Sequence, residues 1–244
     1  LNVSSEDLSD KGVFDGFTDI DSRLHVDPSL LIINKIPEFQ NAQKTFEKYF
    51  NDVLKLVTHS QARNDRFWKE AQKRLQFKEI GNTALGYSDS GTGGNAIGVG
   101  LAGKILETVS LLSKAGVNDP AIFELVGLIE KGIGADRISD MTIAILIDNF
   151  SLYTQRIAKE LKSKTKKFKI RKNIYELPYD DKNNRFIILI PKDLLNNLPI
   201  AVDWDDIDRV CKYNEELREK MKNREETIAE LEKKRKEKEI DEKG

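Results

Sequence analysis

The sequence predicts an α+β fold that is mainly helical, and three observations predict it. Apolar residues recur at helical spacing through most of residues 37–162, the period changes to alternation between about 167 and 190, and residues 203–243 carry a heptad-like stripe within dense charge. The expected organisation is a helical body with an irregular N-terminal segment over 1–164, a small β-hairpin or sheet over 165–200, and a projecting, coiled-coil-like helix over 203–243. The chain starts without Met and stops inside charged helix, so it reads as a piece of something longer.

Residues 1–36 read as irregular, because Asp and Gly punctuate Val13-Phe14-Asp15-Gly16-Phe17-Thr18-Asp19-Ile20-Asp21 and Asp27-Pro28 marks a turn or helix entry. Pro37 is expected to open the first long helix, with Phe39, Ala42, Phe46, Tyr49, Phe50, Val53 and Val57 as its apolar stripe. A second helix is expected over 64–75 with Phe67, Trp68, Ala71 and Leu75 on one side. Residues 81–103 are glycine-rich, and a helix then runs to Lys114 and stops at Ala115-Gly116. Asp119-Pro120 starts another helix, Gly132-Ile133-Gly134 breaks it, and one long helix is expected over 136–162. Phe168, Ile170 and Ile174 then alternate with Lys167, Lys169 and Arg171, and Phe186-Ile187-Ile188-Leu189-Ile190 reads as a strand. The turn between the two is placed in Tyr179-Asp180-Asp181-Lys182-Asn183-Asn184.

The 244 residues are 39% hydrophobic and 33% charged. Compact globules carry about 25% charge, and the excess here lies mostly after Lys159. Net charge is −1, so any preference for a partner has to come from local patches. A single cysteine, Cys211, excludes an internal disulfide framework, and with only His25 and His59 beside it a zinc site is not expected. No leading apolar segment and no run of bilayer length is present, so a cytoplasmic protein without membrane contact is expected.

The terminal helix has its seam at Ile207, Val210, Asn214, Leu217, Met221, Arg224, Ile228 and Leu231, alternately three and four residues apart. Such a seam leaves water only against another helix, and one asparagine at an a position sets register, so a homo-oligomer or a partner helix is expected. The plainer alternative is an amphipathic helix folded back on its own domain.

Gly98-Val99-Gly100-Leu101-Ala102-Gly103-Lys104 overlaps two phosphate-binding patterns. Ile105 stands where a hydroxyl should hold magnesium, and the preceding Ser90-Gly91-Thr92-Gly93-Gly94-Asn95 cannot be the required buried strand, so nucleotide hydrolysis and dinucleotide binding are rejected. What remains is a weak anion site at Gly98, Gly100, Gly103 and Lys104 where a helix begins, against the alternative of a plain surface loop.

Lys159, Lys162, Lys164, Lys166, Lys167, Lys169, Arg171 and Lys172 are opposed only by Glu160. On a strand, Lys167, Lys169 and Arg171 would share one face and Phe168 and Ile170 the other. Residues Lys164, Lys166, Lys167, Lys169, Arg171 and Lys172 are therefore the candidates for nucleic-acid phosphates, with sequence-tolerant contact expected. The rival readings are coverage by the chain's own acids, an acidic partner, or lysines protecting a sheet edge.

Asp19, Asp21, Asp27, Asp136 and Asp140 are candidates for a Mg²⁺ site only if they converge, as two-metal nuclease chemistry would require. The structural alternative is turn and helix-cap duty, with Arg23 and Arg137 as ion-pair partners. No catalytic residue and no resident cofactor is assigned.

Three phrases, Phe17-Thr18-Asp19-Ile20-Asp21-Ser22-Arg23-Leu24 with Val26-Asp27-Pro28, Leu85-Gly86-Tyr87-Ser88, and Gly132-Ile133-Gly134-Ala135-Asp136-Arg137-Ile138-Ser139-Asp140-Met141-Thr142, together resemble a bacterial protein group associated with mobile-element or phage-defence loci. The resemblance spans 13–215 and implies a nucleic-acid-related setting; it assigns no residue a role. The expected function is a nucleic-acid-associated assembly or regulatory module, with a Mg²⁺-dependent nuclease and a helical protein-interaction scaffold as alternatives.

Overall fold

Pro37 does not open the long helix. It opens a 3-10 turn, Pro37–Phe39, and the first long helix, α2, runs Ala42–His59 after Asn41 leaves helical geometry at φ −116° and ψ 12°. The computed structural model describes residues 3–15, 24–77, 83, 97–114, 135–181 and 185–197. Over these it is an α+β structure of helices and small antiparallel sheets. A short helix, α1 (Ser5–Asp10), precedes α2 and is closed by a capping box between Ser4 and Asp7.

The stripe of α2 is buried as its spacing requires: Ala42, Phe46, Phe50, Val53 and Val57, joined by Leu54, leave water together. Helix α3 (Arg66–Arg74) starts at Asp65, whose carboxylate accepts from the Trp68 N–H at 2.8 Å. Trp68, Ala71 and Leu75 face the core, while Phe67 stays half-buried at its margin. Helix α4 (Val99–Lys114) packs on both α2 and α3. The Tyr49 hydroxyl on α2 donates to the Arg74 carbonyl at the end of α3, tying the two helices at that end.

The single helix expected over 136–162 is two, α5 (Ala135–Ile145) and α6 (Ile147–Glu160), broken at Leu146 with φ −97° and ψ 21°. No Gly or Pro marks the break. The Thr142 hydroxyl donates back to the Ile138 carbonyl at 2.7 Å, which bends a helix. Arg171 from the hairpin donates to the carbonyls of Ala144 and Ile145 just before the break, at 2.6 and 3.3 Å, offering them a partner outside the helix.

Strand β1 (Leu24–Val26) pairs antiparallel with β5 (Leu195–Asn197), and α5 packs on β1, where the Val26 N–H donates to Ser139 Oγ at 3.0 Å. The second sheet has the order β2-β3-β4, from β2 (Thr165–Ile170), β3 (Asn173–Asp180) and β4 (Arg185–Phe186). A turn at Arg171-Lys172, where Ile170 faces Asn173, splits the first expected strand into β2 and β3. The expected Asp-Asn turn segment lies between β3 and the two-residue β4, which pair antiparallel with Asp180 facing Arg185. Only Phe186 of the expected strand 186–190 sits in the ladder. Ile187, Ile188, Leu189 and Ile190 form a buried extended segment held by the Pro178 carbonyl (2.8 Å), Thr154 Oγ1 (2.9 Å) and the Phe14 N–H (2.8 Å).

One apolar cluster joins the helices to the hairpin, running from Leu8 and Phe39 through α2 and α6 to Ile170, Leu177 and Leu194. At its centre Phe39 meets Phe150 edge-on with ring centroids 4.8 Å apart. Each such ring contributes roughly 1.5–3 kcal/mol by burial. The Arg156–Glu38 pair clamps the 3-10 turn to α6 at 2.6 and 3.2 Å.

The helix expected after Asp119-Pro120, the acids Asp19 and Asp21, and the whole seam from Ile207 to Leu231 lie outside the described residues. No helix among the described residues is long and apolar enough to cross a membrane.

Candidate nucleic-acid interface

The hairpin sorts the basic stretch by the geometry of its strands. β2 is the edge strand of its sheet. Its inward face carries Lys166, Phe168 and Ile170, opposite Leu177, Tyr175 and Asn173 of β3. Phe168 packs edge-on against Phe186 at 5.6 Å, while Tyr175 and Leu177 are buried against α6. The outward face carries Lys167 and Lys169, opposite Glu176 and the 66% exposed Ile174. Lys167 and Lys169 thus lie on the side opposite Phe168 and Ile170, as alternation demands.

Arg171 does not share that face. It is the first turn residue, at φ 53°, in the left-handed region that costs a side chain energy. Its guanidinium is occupied: Nη1 donates to Asp148 Oδ2 at 3.0 Å and Nη2 to the Ala144 carbonyl at 2.6 Å. Cations at a helix carboxyl end are stabilised by the free carbonyls there. The same carboxylate accepts from the Tyr175 hydroxyl at 2.7 Å and Asn173 Nδ2 at 3.2 Å. Partial burial works against its charge, but the bonds from Tyr175 and Asn173 and the Arg171 charge outweigh this and hold the Asp148 carboxyl below its ordinary range. Burial and the bond to Asp148 push the Tyr175 hydroxyl up.

Lys166 is also partly engaged. Its ammonium lies 3.8 Å from the Tyr179 ring centroid and 3.8 Å from Asp181. Lys164, Lys167, Lys169 and Lys172 are exposed, and among the described residues none of them forms an ion pair. The six candidate cations therefore divide into four that face solvent, Lys166 partly engaged within its own sheet, and Arg171 tying the hairpin to the helices.

The glycine motif lands where α4 begins. Ile97 forms a single antiparallel bridge with Phe77, and the helix starts one residue after Gly98. Gly103 has a packing reason: a Cβ there would stand 3.2 Å from Gln72 Nε2, which itself donates to the Val99 carbonyl at 3.1 Å. Gly100 faces open space and Lys104 is exposed.

Of the candidate acids, Asp27 is buried and its two oxygens accept from the Ser29 N–H at 2.9 Å and Asn196 Nδ2 at 3.1 Å. It caps a 3-10 turn (Pro28–Leu31) and clamps β5. Asp136 falls in the first turn of α5, and Asp140, one turn on, is half-buried with its own interaction partner. Among the described residues no group of three or more His, Cys, Asp or Glu side chains is placed to hold a metal ion.

Sequence reading missed one feature. Helix α3 presents Arg66, Lys69 and Lys73 on its outer, exposed face. These charges are spread at helical spacing among Phe67, Trp68 and Ala71, so they form no run along the chain; a helical projection of 66–74 would have shown them.

The fold and this surface define a small α+β domain with a lysine-edged hairpin docked on a helical layer. The chain belongs to the DUF8370 family, described as a domain of unknown function, whose model matches residues 2–203. The match ends where the charged terminal segment begins. No curated protein matches the chain, and no solved structure does.

Proposed function

We propose that this protein is a nucleic-acid-associated assembly or regulatory module, contacting phosphates through the hairpin and self-associating through residues 203–243. The observation that carries the reading is the set Lys164, Lys167, Lys169 and Lys172, exposed along an edge strand and its turn without ion pairs among the described residues. Cations so placed gain by displacing the counterions of a phosphate backbone, and they carry no base-reading geometry, so contact is sequence-tolerant. The heptad seam from Ile207 to Leu231 supports self-association.

The test is fluorescence anisotropy of labelled oligonucleotides over a salt series. Affinity falls steeply with salt, and changing Lys167, Lys169 and Lys172 together to Glu removes most of it. Unchanged affinity in that variant rejects the hairpin as the contact. Deletion from Ile207 onward lowers a concentration-dependent mass to that of the monomer; an unaltered mass rejects assembly through the seam.

The edge position of β2 favours a second reading, in which the lysines serve only to block strand addition. It predicts that Lys167→Thr and Lys169→Val raise aggregation while oligonucleotide binding is absent in the parent. The nuclease alternative requires Mg²⁺- or Mn²⁺-dependent cleavage lost in Asp140→Asn. The occupied oxygens of Asp27 weigh against it. The scaffold alternative predicts that an acidic protein, and no oligonucleotide, competes for the hairpin.

A further inference from the structure

The sheet order leaves β2 at the margin, and among the described residues no strand pairs with its outer edge. In an antiparallel ladder, facing residues alternate between pairs that exchange backbone hydrogen bonds and pairs whose backbone groups point away from each other. The Glu176 N–H donates to Gln155 Oε1 of α6 at 2.8 Å, and the Pro178 carbonyl accepts from the Ile187 N–H at 2.8 Å. Both residues therefore turn their backbone away from β2, and their partners there are Lys167 and Thr165. By the same alternation Lys169, across from Ile174, joins them. The N–H and C=O groups of Thr165, Lys167 and Lys169 thus all point to the open side, a row that an extended peptide completes by adding a strand.

The side chains along this edge select the peptide. Lys167 and Lys169 stand exposed on the outward face, and among the described residues neither forms an ion pair. A second copy of the same edge would set lysines against lysines, which opposes pairing. A strand with carboxylates at alternate positions answers both charges. Its intervening residue would point inward beside Phe168, which is half-buried with its ring 5.6 Å from that of Phe186, so an apolar side chain fits there. The pattern selected is acidic, apolar, acidic. Phosphates also answer the lysines, but they have no donors for the carbonyls in the row.

We propose that the open edge of β2 takes an acidic peptide as an added strand, antiparallel like the rest of its sheet. The peptide covers Lys167 and Lys169, so it competes with nucleic acid for the hairpin and regulates that contact. Only the competition rests on the phosphate reading above; the docking stands on the backbone edge and its charges.

The experiment uses the full chain, a short labelled peptide of alternating glutamate and valine, and a counterpart of alternating lysine and valine, read by fluorescence anisotropy. The acidic peptide is expected to bind and the basic one to fail, and Lys167→Glu/Lys169→Glu is expected to reverse the preference. An antiparallel strand turns its glutamate N–H groups toward β2 and its valine N–H groups away. Methylating the glutamate amide nitrogens is therefore expected to weaken binding at least about tenfold, and methylating the valine ones to change it by less than about twofold. These peptides test the wild-type chain even if the double variant does not fold. No binding of the acidic peptide overturns the proposal, as does equal binding of the basic peptide. A loss no greater for the glutamate methylation than for the valine methylation overturns it too. Unlabelled acidic peptide is then titrated against a labelled oligonucleotide, and displacement supports the shared site. Peptide binding with no oligonucleotide binding keeps the docking and rejects the phosphate reading; oligonucleotide binding with no peptide binding does the opposite.

Discussion

Changing Arg171 to Ala separates a residue that holds the hairpin from neighbours that only face solvent. Its ion pair with Asp148 spans 3.0 Å between side chains that are 48% and 33% exposed, so solvent screening limits it to about 0.2–1 kcal/mol. The bonds to the Ala144 and Ile145 carbonyls at 2.6 and 3.3 Å contribute about 1 kcal/mol, and a further ~0.3–1 kcal/mol comes from a cation at a helix carboxyl end. The expected cost of Arg171→Ala is about 1.5–3 kcal/mol, read by urea unfolding as a lowered midpoint with unchanged m value. Arg171→Gly loses the same bonds but relieves the φ of 53°, so it recovers about 1 kcal/mol of that cost. Lys169→Ala shifts stability by less than about 0.5 kcal/mol. The pH dependence follows from Asp148. Its folded pKa lies below the unfolded value of about 3.9, so its contribution is full above that pH and is lost as pH falls through the folded value. The gap between wild type and Arg171→Ala therefore narrows below about pH 4. An Arg171→Ala protein no less stable than Lys169→Ala at pH 7 would refute the clamp.

Phe150→Ala, at a fully buried position, is expected to cost about 3–5 kcal/mol by urea unfolding, and a double-mutant cycle with Phe39 should show coupling of about 0.5–1.5 kcal/mol. Thr154→Val keeps the shape but leaves the buried Leu189 N–H without its 2.9 Å acceptor, so about 1–3 kcal/mol is lost. Gly103→Ala gains about 1 kcal/mol of helix propensity and disturbs the Gln72–Val99 bond by a similar amount, leaving the melting temperature within a few degrees of wild type.

The α+β class was legible in the sequence because period is a direct consequence of burial. The stripe of α2 and the inward face of α3 follow from spacing. The break at Leu146 was not legible, since a hydroxyl back-bond and a distant arginine cause it and neither leaves a Gly or Pro behind. Asp180-Asp181-Lys182-Asn183-Asn184 was legible as a turn segment, and β3 and β4 pair antiparallel on either side of it, whereas the added turn at Arg171-Lys172 carries no turn residue. The chain tolerates a left-handed arginine there because its side chain is anchored on α5. Of the candidate site, the contiguous lysines were visible. That Arg171 and Lys166 are engaged depended on tertiary contacts, whereas the second cationic face, on α3, follows from spacing within one helix.

The interruption at Leu146 also works as an elbow. α5 packs on β1 and α6 on the hairpin, so the bend at Leu146 lies between the helices that meet the two sheets. One residue inserted there would turn the start of α6 by about 100° around the helix axis, against the Phe39–Phe150 contact, the Arg156–Glu38 pair and the β1–β5 pairing that hold the two sides together. Helix phase and sheet pairing would then conflict, so length at this position matters more than side-chain identity.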